Sequence, residues 1–237
     1  MNDSDLAFTP AWQLRQWIGE QKLSPVELVT MYLRRIETLD PQLNAFLTVC
    51  AEESLAAAKL AEEQVMQGKS LGALHGIPVP IKDLNRTAGI RTTRGSLIYK
   101  DDVPDTDDLV VARIRAAGGI IIGKTNTPEF GHRGTTENLL GEPCRNPWNT
   151  TMTSGGSSGG AAVAVASGLS PIAQGSDGGG SIRIPAGFCG VYGLKPTRGR
   201  VPGNYNGPGG WNIFSQTGPL SRTVRDAAFL LDAMAAP

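Results

Sequence analysis

The sequence predicts an α/β layered fold, and three observations carry that expectation. Helical segments opened by capping residues alternate along the chain with short β-branched or proline-flanked runs, the pattern that stacks helices on a sheet. Glycine and proline punctuate the intervals between them. Of the 237 residues, 40% are apolar and 19% charged, the balance of a globular protein with a sizeable core.

Taken in order, Ser24-Pro25-Val26-Glu27 is a capping box with proline at the first helical position. Val29, Tyr32, Leu33 and Ile36 then share one helical face. An Ala-, Glu- and Lys-rich helix follows over roughly Ala51 to Met66, with Gly68 as its stop. IPVPIKDL, from Ile77 to Leu84, reads as a short buried strand interrupted by prolines. TDDLVVARIRAAGG, from Thr106 to Gly119, reads as a helix with a threonine cap, two aspartates in its first turn and a glycine stop. The run Ile120–Ile122 behind it is a strand. Near the end, Thr223-Val224-Arg225-Asp226 repeats the capping-box pattern, with Val224, Ala227, Ala228 and Leu231 on one face. Ser154 to Gly218 is rich in glycine, yet its Trp, Tyr, Phe and β-branched residues argue against a disordered linker.

Composition excludes several classes. Basic and acidic residues number 22 each, so the formal net charge is zero and no basic stripe marks a nucleic-acid partner. Cys50, Cys144 and Cys189 are far apart and lack metal-ligand spacing, which suits free thiols in a reducing cytoplasm. The opening MNDSDLAFTP has no basic-then-apolar leader, and no stretch approaches the length of an apolar membrane span. A cytoplasmic protein without membrane or nucleic-acid partners is expected.

Two short patterns invite chemistry that their context refuses. Gly118 to Thr125 satisfies G-x-x-x-x-G-K-T, but its variable positions are mostly isoleucine, a strand interior and not a phosphate-wrapping loop. GGSSG, from Gly155 to Gly159, matches the G-x-S-x-G nucleophile elbow. That elbow needs a histidine downstream, whereas His75 and His132 both precede it. A serine activated here without histidine requires another base. A lysine serves when burial leaves it neutral near pH 7, and Lys82, among apolar residues and prolines, is the first candidate. Lys124 and Lys195 are its rivals.

Three segments together carry a wider likeness: SGGSSGG (Ser154–Gly160), GSDGGGSIRIPAGFCGVYGLKPTRGRVP (Gly175–Pro202) and LHGIPVPIKDL (Leu74–Leu84). With SPVELV, AGGIIIGKTNTPEFG and GPLSRTVRDAAFLL around them, the chain resembles the amidase signature family from about Ser24 to its last residues. The resemblance implies a mixed β-sheet core covered by helices on both faces. It implies a Ser–cis-Ser–Lys triad of nucleophile Ser181, bridging Ser157 and base Lys82, with a cis bond between Gly156 and Ser157. The amides of Gly178, Gly179, Gly180 and Ser181 are the implied oxyanion donors. Ser158 is expected to hydrogen-bond and orient Lys82, and Asp177 and Arg183 to pair and hold the nucleophile's loop. No metal or organic cofactor is implied, and the partner is a small amide substrate.

The family's commonest wording has threonines where this chain has Ser176 and Gly178. Ser176 keeps a hydroxyl, and Gly178 still offers its N–H. Ile184 stands where glutaminyl-tRNA amidotransferases, the alternative reading, usually carry glutamine in their amidase-type chain. Family members are usually about twice as long, so residues 1–237 are expected to form one domain that is the N-terminal portion of the family fold. An incomplete sheet predicts an open edge and exposed apolar surface, hence self-association as a homodimer, or a fragment without catalysis.

Overall fold

The computed structural model describes residues 2–203 and 214–235; the part of the glycine-rich stretch at 204–213 lies outside them. Helices α1 (Asp3–Phe8), α2 (Ala11–Gly19) and α3 (Pro25–Leu43) open the chain. Then come β1 (Phe46–Val49), α4 (Ala51–Met66), β2 (Pro78–Lys82), α5 (Leu109–Ala116) and β3 (Ile120–Thr125). A small hairpin, β4 (Arg145–Asn146) and β5 (Asn149–Thr153), precedes α6 (Gly159–Ala166), β6 (Ile172–Asp177), α7 (Arg183–Cys189), β7 (Tyr192–Gly193), β8 (Gln216–Ser221) and α8 (Val224–Ala235).

Local chemistry explains most boundaries. The Ser24 hydroxyl accepts the N–H groups of Val26 and Glu27, and Glu27 reciprocates in the expected capping box, while Val29, Tyr32 and Ile36 face the core. Helix α4 has the bounds its composition predicts, and Gly68 follows it with φ +63°.

Helix α5 corrects one expectation, because it starts at Leu109 and not behind a Thr106 cap. The two aspartates hold the preceding loop. Asp108 accepts Asn85 Nδ2 and the Arg86 N–H, both at 3.0 Å, and Asp107 accepts the Ala88 N–H at 2.7 Å while pairing with Arg115. In α8 the Thr223 hydroxyl accepts the Asp226 N–H at 3.0 Å, and the Asp226 carboxylate reaches across to the Trp12 N–H of α2.

Six strands form one mixed sheet in the order β1-β3-β2-β6-β8-β7. Strands β3, β2 and β6 run parallel; β1 joins β3, β8 joins β6 and β7 joins β8 antiparallel. Strand β2 lies at the centre, and all five of its residues are buried. Alternation sends Val79 to one face, beside Gly119 and Ile114 of α5, and Lys82 to the other, beside Ser157 just ahead of α6. Helices therefore cover both faces of the sheet. No helix among the described residues is long and apolar enough to cross a membrane. All three cysteines are buried free thiols.

Helix α6 reads GGAAVAVA and is buried through Val165. Its small residues let it sit deep against β2, β3 and β6, and at Gly160 the fit is tightest. A Cβ there would lie 2.4 Å from both the Ala45 carbonyl oxygen and the Asn126 nitrogen, which are backbone atoms that cannot swing aside. Gly160→Ala is therefore expected to destabilise the protein by about 1–3 kcal/mol, the usual cost of overpacking. Urea denaturation checks this, and an unchanged midpoint would show that α6 has slack.

Candidate active site

The candidate side chains gather where parallel strands β2 and β6 end. Lys82 is the last residue of β2, Ser157 lies one residue before the N-cap of α6, and Ser181 sits in the turn from β6 to α7. A cavity of about 210 Å³ opens at this edge, floored by Ser157, Ser176, Gly178, Gly179 and Ser181 and walled by Leu84, Phe130 and Ile184.

Lys82 is completely buried, and its Nζ donates to the Ser157 hydroxyl at 2.7 Å and to the Ser176 hydroxyl at 3.1 Å. The Ser176 carbonyl lies at 3.4 Å. Burial drives the Lys82 pKa down to about 7, against an upward pull from Asp177. With hydroxyls and a carbonyl as its close partners among the described residues, the amine is one that loses its proton near neutrality.

The Gly156–Ser157 peptide bond is cis. The flanking glycines matter through their missing side chains more than through unusual torsions. A Cβ on Gly156 would meet the Thr135 carbonyl oxygen at 2.5 Å, and among Gly155, Gly156, Gly159 and Gly160 only Gly155 has positive φ.

Ser158 departs from its expected role. Its hydroxyl donates to the Ser176 carbonyl at 3.1 Å and accepts the Ser176 N–H at 3.2 Å, so it clamps β6 and leaves Lys82 to Ser176. Its N–H donates to the Ser181 carbonyl at 3.0 Å, which ties the two serine-bearing turns together.

Asp177 organises the turn that carries Ser181. Its fully buried carboxylate accepts the N–H groups of Gly180 (2.7 Å), Ile182 (3.1 Å) and Arg183 (3.3 Å), and the Arg183 guanidinium grips it with two contacts of 2.9 Å. Burial alone would raise its pKa, but the guanidinium and the backbone donors hold it at about 2. The expected Asp177–Arg183 pairing is present.

Gly180, however, leaves the set of oxyanion donors, since its N–H is committed to Asp177 and it does not line the cavity. At φ +119° it shapes the turn instead. The N–H groups of Gly178, Gly179 and Ser181 have no partner among the described residues, and all three residues line the cavity. The Ser181 hydroxyl also makes no hydrogen bond among the described residues, so Ser157 and Ser181 share the cavity without touching through one.

Of the rival lysines, Lys124 is buried in a separate cluster and Lys195 donates to the Pro196 carbonyl. The G-x-x-x-x-G-K-T pattern is absorbed into β3, as its isoleucines imply. His75 is a buried core residue bonded to the Ala61 carbonyl. His132 lines the cavity beside Phe130 and Arg133, a wall for which sequence reasoning gave no role. Nothing in the spacing of PEFGHR pointed there, because the loop is irregular and its relation to Ser157 is purely tertiary.

Comparison with known proteins agrees with this geometry. The profile of the family described as Amidase matches residues 27–237. The chain is 42% identical over its whole length to an acylamidase of Rhodococcus erythropolis, of which it spans 50%. It is 45% identical over 92% of its length to the A-type chain of the glutamyl-tRNA(Gln) amidotransferase of Anaeromyxobacter dehalogenans, of which it spans 44%. Among solved structures, a bacterial aryl acylamidase of the amidase signature enzymes superposes with TM-score 0.91 at 36% identity, covering 98% of this chain and 48% of that one. The chain thus spans about half the length of the relatives it matches.

The buried amine makes stability depend on pH. Lys82 has an ordinary pKa of 10.5 in the unfolded chain and about 7 in the folded one. Between those values the unfolded chain binds the extra proton, so the Lys82 contribution raises stability as pH climbs through the window. Lys82→Met should therefore outdo the parent most at about pH 6 and least at about pH 10. Denaturant melts at both pH values check the sign, and a pH-independent difference would mean that the amine is not desolvated.

Proposed function

This chain belongs to the amidase family, and we propose that it hydrolyses the carbon–nitrogen bond of a small carboxamide through an acyl-enzyme on Ser181. The observation that carries the proposal is the desolvated Lys82 amine 2.7 Å from Ser157, a residue whose cavity also holds Ser181 and three N–H groups unpartnered among the described residues. Neutral Lys82 takes the Ser157 proton as Ser157 takes that of Ser181, which bridges a base too distant to reach the nucleophile. Ser181 Oγ bonds to the amide carbon, and the carbonyl oxygen gains the charge. The N–H groups of Gly178, Gly179 and Ser181 stabilise it, each such donor being worth about 3 kcal/mol. As the C–N bond breaks, the proton held on the lysine side returns through Ser157 to the leaving nitrogen. Water then attacks the ester and regenerates the Ser181 hydroxyl.

Leu84, Phe130 and Ile184 give the cavity an apolar side, opposed by the polar side chains of His132, Arg133 and Ser215, and that apolar side favours amides with an apolar substituent beside the carbonyl. The 45% identity to an amidotransferase chain supports a second reading, in which glutamine is the amide and ammonia goes to a protein partner. Ile184, an alkyl side chain on the cavity wall, offers such a substrate no hydrogen bond. Release of ammonia from glutamine, in preference to neutral carboxamides, would favour the second reading.

A sulfonyl fluoride should label Ser181, read by peptide mass spectrometry. Ser181→Ala should abolish labelling and lower amide turnover by at least about a thousandfold. Labelling elsewhere, or turnover that survives the substitution, would sink the proposal.

A further inference from the structure

Two lysines among the described residues are completely buried, and the proposed reaction uses only one of them. Lys124, on β3, donates to the Asn85 carbonyl at 2.6 Å and to the Thr92 hydroxyl at 2.7 Å, and it faces Asp83 Oδ1 at 3.5 Å. The other oxygen of Asp83 accepts the Thr93 N–H at 2.9 Å and the Thr93 hydroxyl. The Asp83 N–H donates to the Thr125 carbonyl at 3.1 Å. Asp83, Thr92, Thr93 and Lys124 are all 0% exposed.

This cluster grips the turn in which β2 ends. The Asn85 N–H donates to the Lys82 carbonyl at 3.0 Å, and the Lys82 N–H donates to Gln174 Oε1 at 2.9 Å. Gln174 Nε2 in turn donates to Asn85 Oδ1 at 3.0 Å, closing a ring of bonds around the backbone of Lys82. Neighbouring residues of an extended chain point to opposite sides. Lys82 accordingly faces Ser157, and Asp83 faces Lys124.

The electrostatics follow from that division. Asp83 is adjacent in sequence to Lys82, yet its charge is engaged by Lys124. The charged group facing Lys82 is Asp177, from β6, and that carboxylate is already held by Arg183. Lys124 is faced by Asp83, Asp108 and the Cys50 thiol. Burial lowers the Lys124 pKa to about 8, with Asp83 pulling it back up, and burial raises that of Asp83.

We infer that Lys124 is a positioning residue for Lys82: by holding Asp83 and the 82–85 turn on the far side of β2, it keeps the Lys82 amine on Ser157 and away from any carboxylate. The inference rests on the proposed role of Lys82 as base, but it is open to a test that needs no turnover.

Lysine side-chain NMR titration, with the Lys82 signal assigned by Lys82→Met, reads the effect directly. The parent Lys82 should titrate near 7. In Lys124→Met the 82–85 turn loses its anchor, and the solvent that a loosened turn admits favours the ammonium, so the midpoint should rise by at least about one pH unit. For a rise of one unit that is about fivefold less free amine at pH 7, and sulfonyl labelling of Ser181 should slow by about as much. An unmoved Lys82 midpoint in Lys124→Met overturns the inference, as does a parent Lys82 titrating in the ordinary lysine range. If Lys124→Met lacks a cooperative unfolding transition, Thr92→Val removes one acceptor at constant shape. A smaller rise is then expected, and no rise overturns the inference. A Lys82 midpoint that moves as expected in a protein whose Ser181 does not label would support the positioning role and count against the amidase reading.

Discussion

The structure depends on one unfavourable act, the complete burial of the Lys82 amine at the end of the central strand. An isolated buried ammonium is so costly that the group sheds its proton instead, and no carboxylate among the described residues is placed within contact distance to prevent it. Ser157 and Ser176 satisfy the amine as hydroxyls, which tolerate either protonation state because they both donate and accept. The nearest acidic groups are each tied to another cation: Asp177 to Arg183, and Asp83 to Lys124. Charge is abundant around this site, yet it is arranged in closed pairs that leave one amine out.

Keeping that arrangement requires close approach. Ser157 reaches Lys82 only because the chain before α6 and the first turn of α6 press against backbone from Thr135, Ala45 and Asn126. The glycines there are demanded by the absence of space. Around Ser181 the constraint differs, since Asp177 draws three backbone N–H groups and a guanidinium inward and folds the turn over itself. One consequence is that Gly180 serves Asp177, and the donors left unpartnered among the described residues are its neighbours.

Much of this was legible in the sequence because it is local or periodic. The capping box at Ser24, the full extent of α4 and the strand character of Ile120–Ile122 follow from spacing alone, and a lysine among prolines and aliphatics signals burial. The misreadings share one physical cause: short polar side chains bond whatever tertiary neighbour lies nearest. Asp107 and Asp108 hold the 85–88 loop where a helix N-terminus was expected, and Ser158 turns to the β6 backbone where Lys82 was expected. Ser176 as a partner of Lys82 was within reach, since a hydroxyl one residue before Asp177 must face some neighbouring element. Phe130 and His132 were not, because an irregular loop has no period to read.

A lysine base of the kind proposed ties chemistry to folding more tightly than a histidine would. Imidazole titrates near neutrality in water, so a histidine keeps a usable pKa even in a loosened site. A lysine in water is an ammonium throughout the physiological range, and only the folded environment moves Lys82 to about 7. Any opening that admits water to the end of β2 therefore favours reprotonation of the amine. The tight α6 contacts, the Asp177 turn and the Lys124 cluster all act against that opening, from the floor, the rim and the far face of the sheet. Packing around Lys82 is in this sense part of the proposed acid–base chemistry.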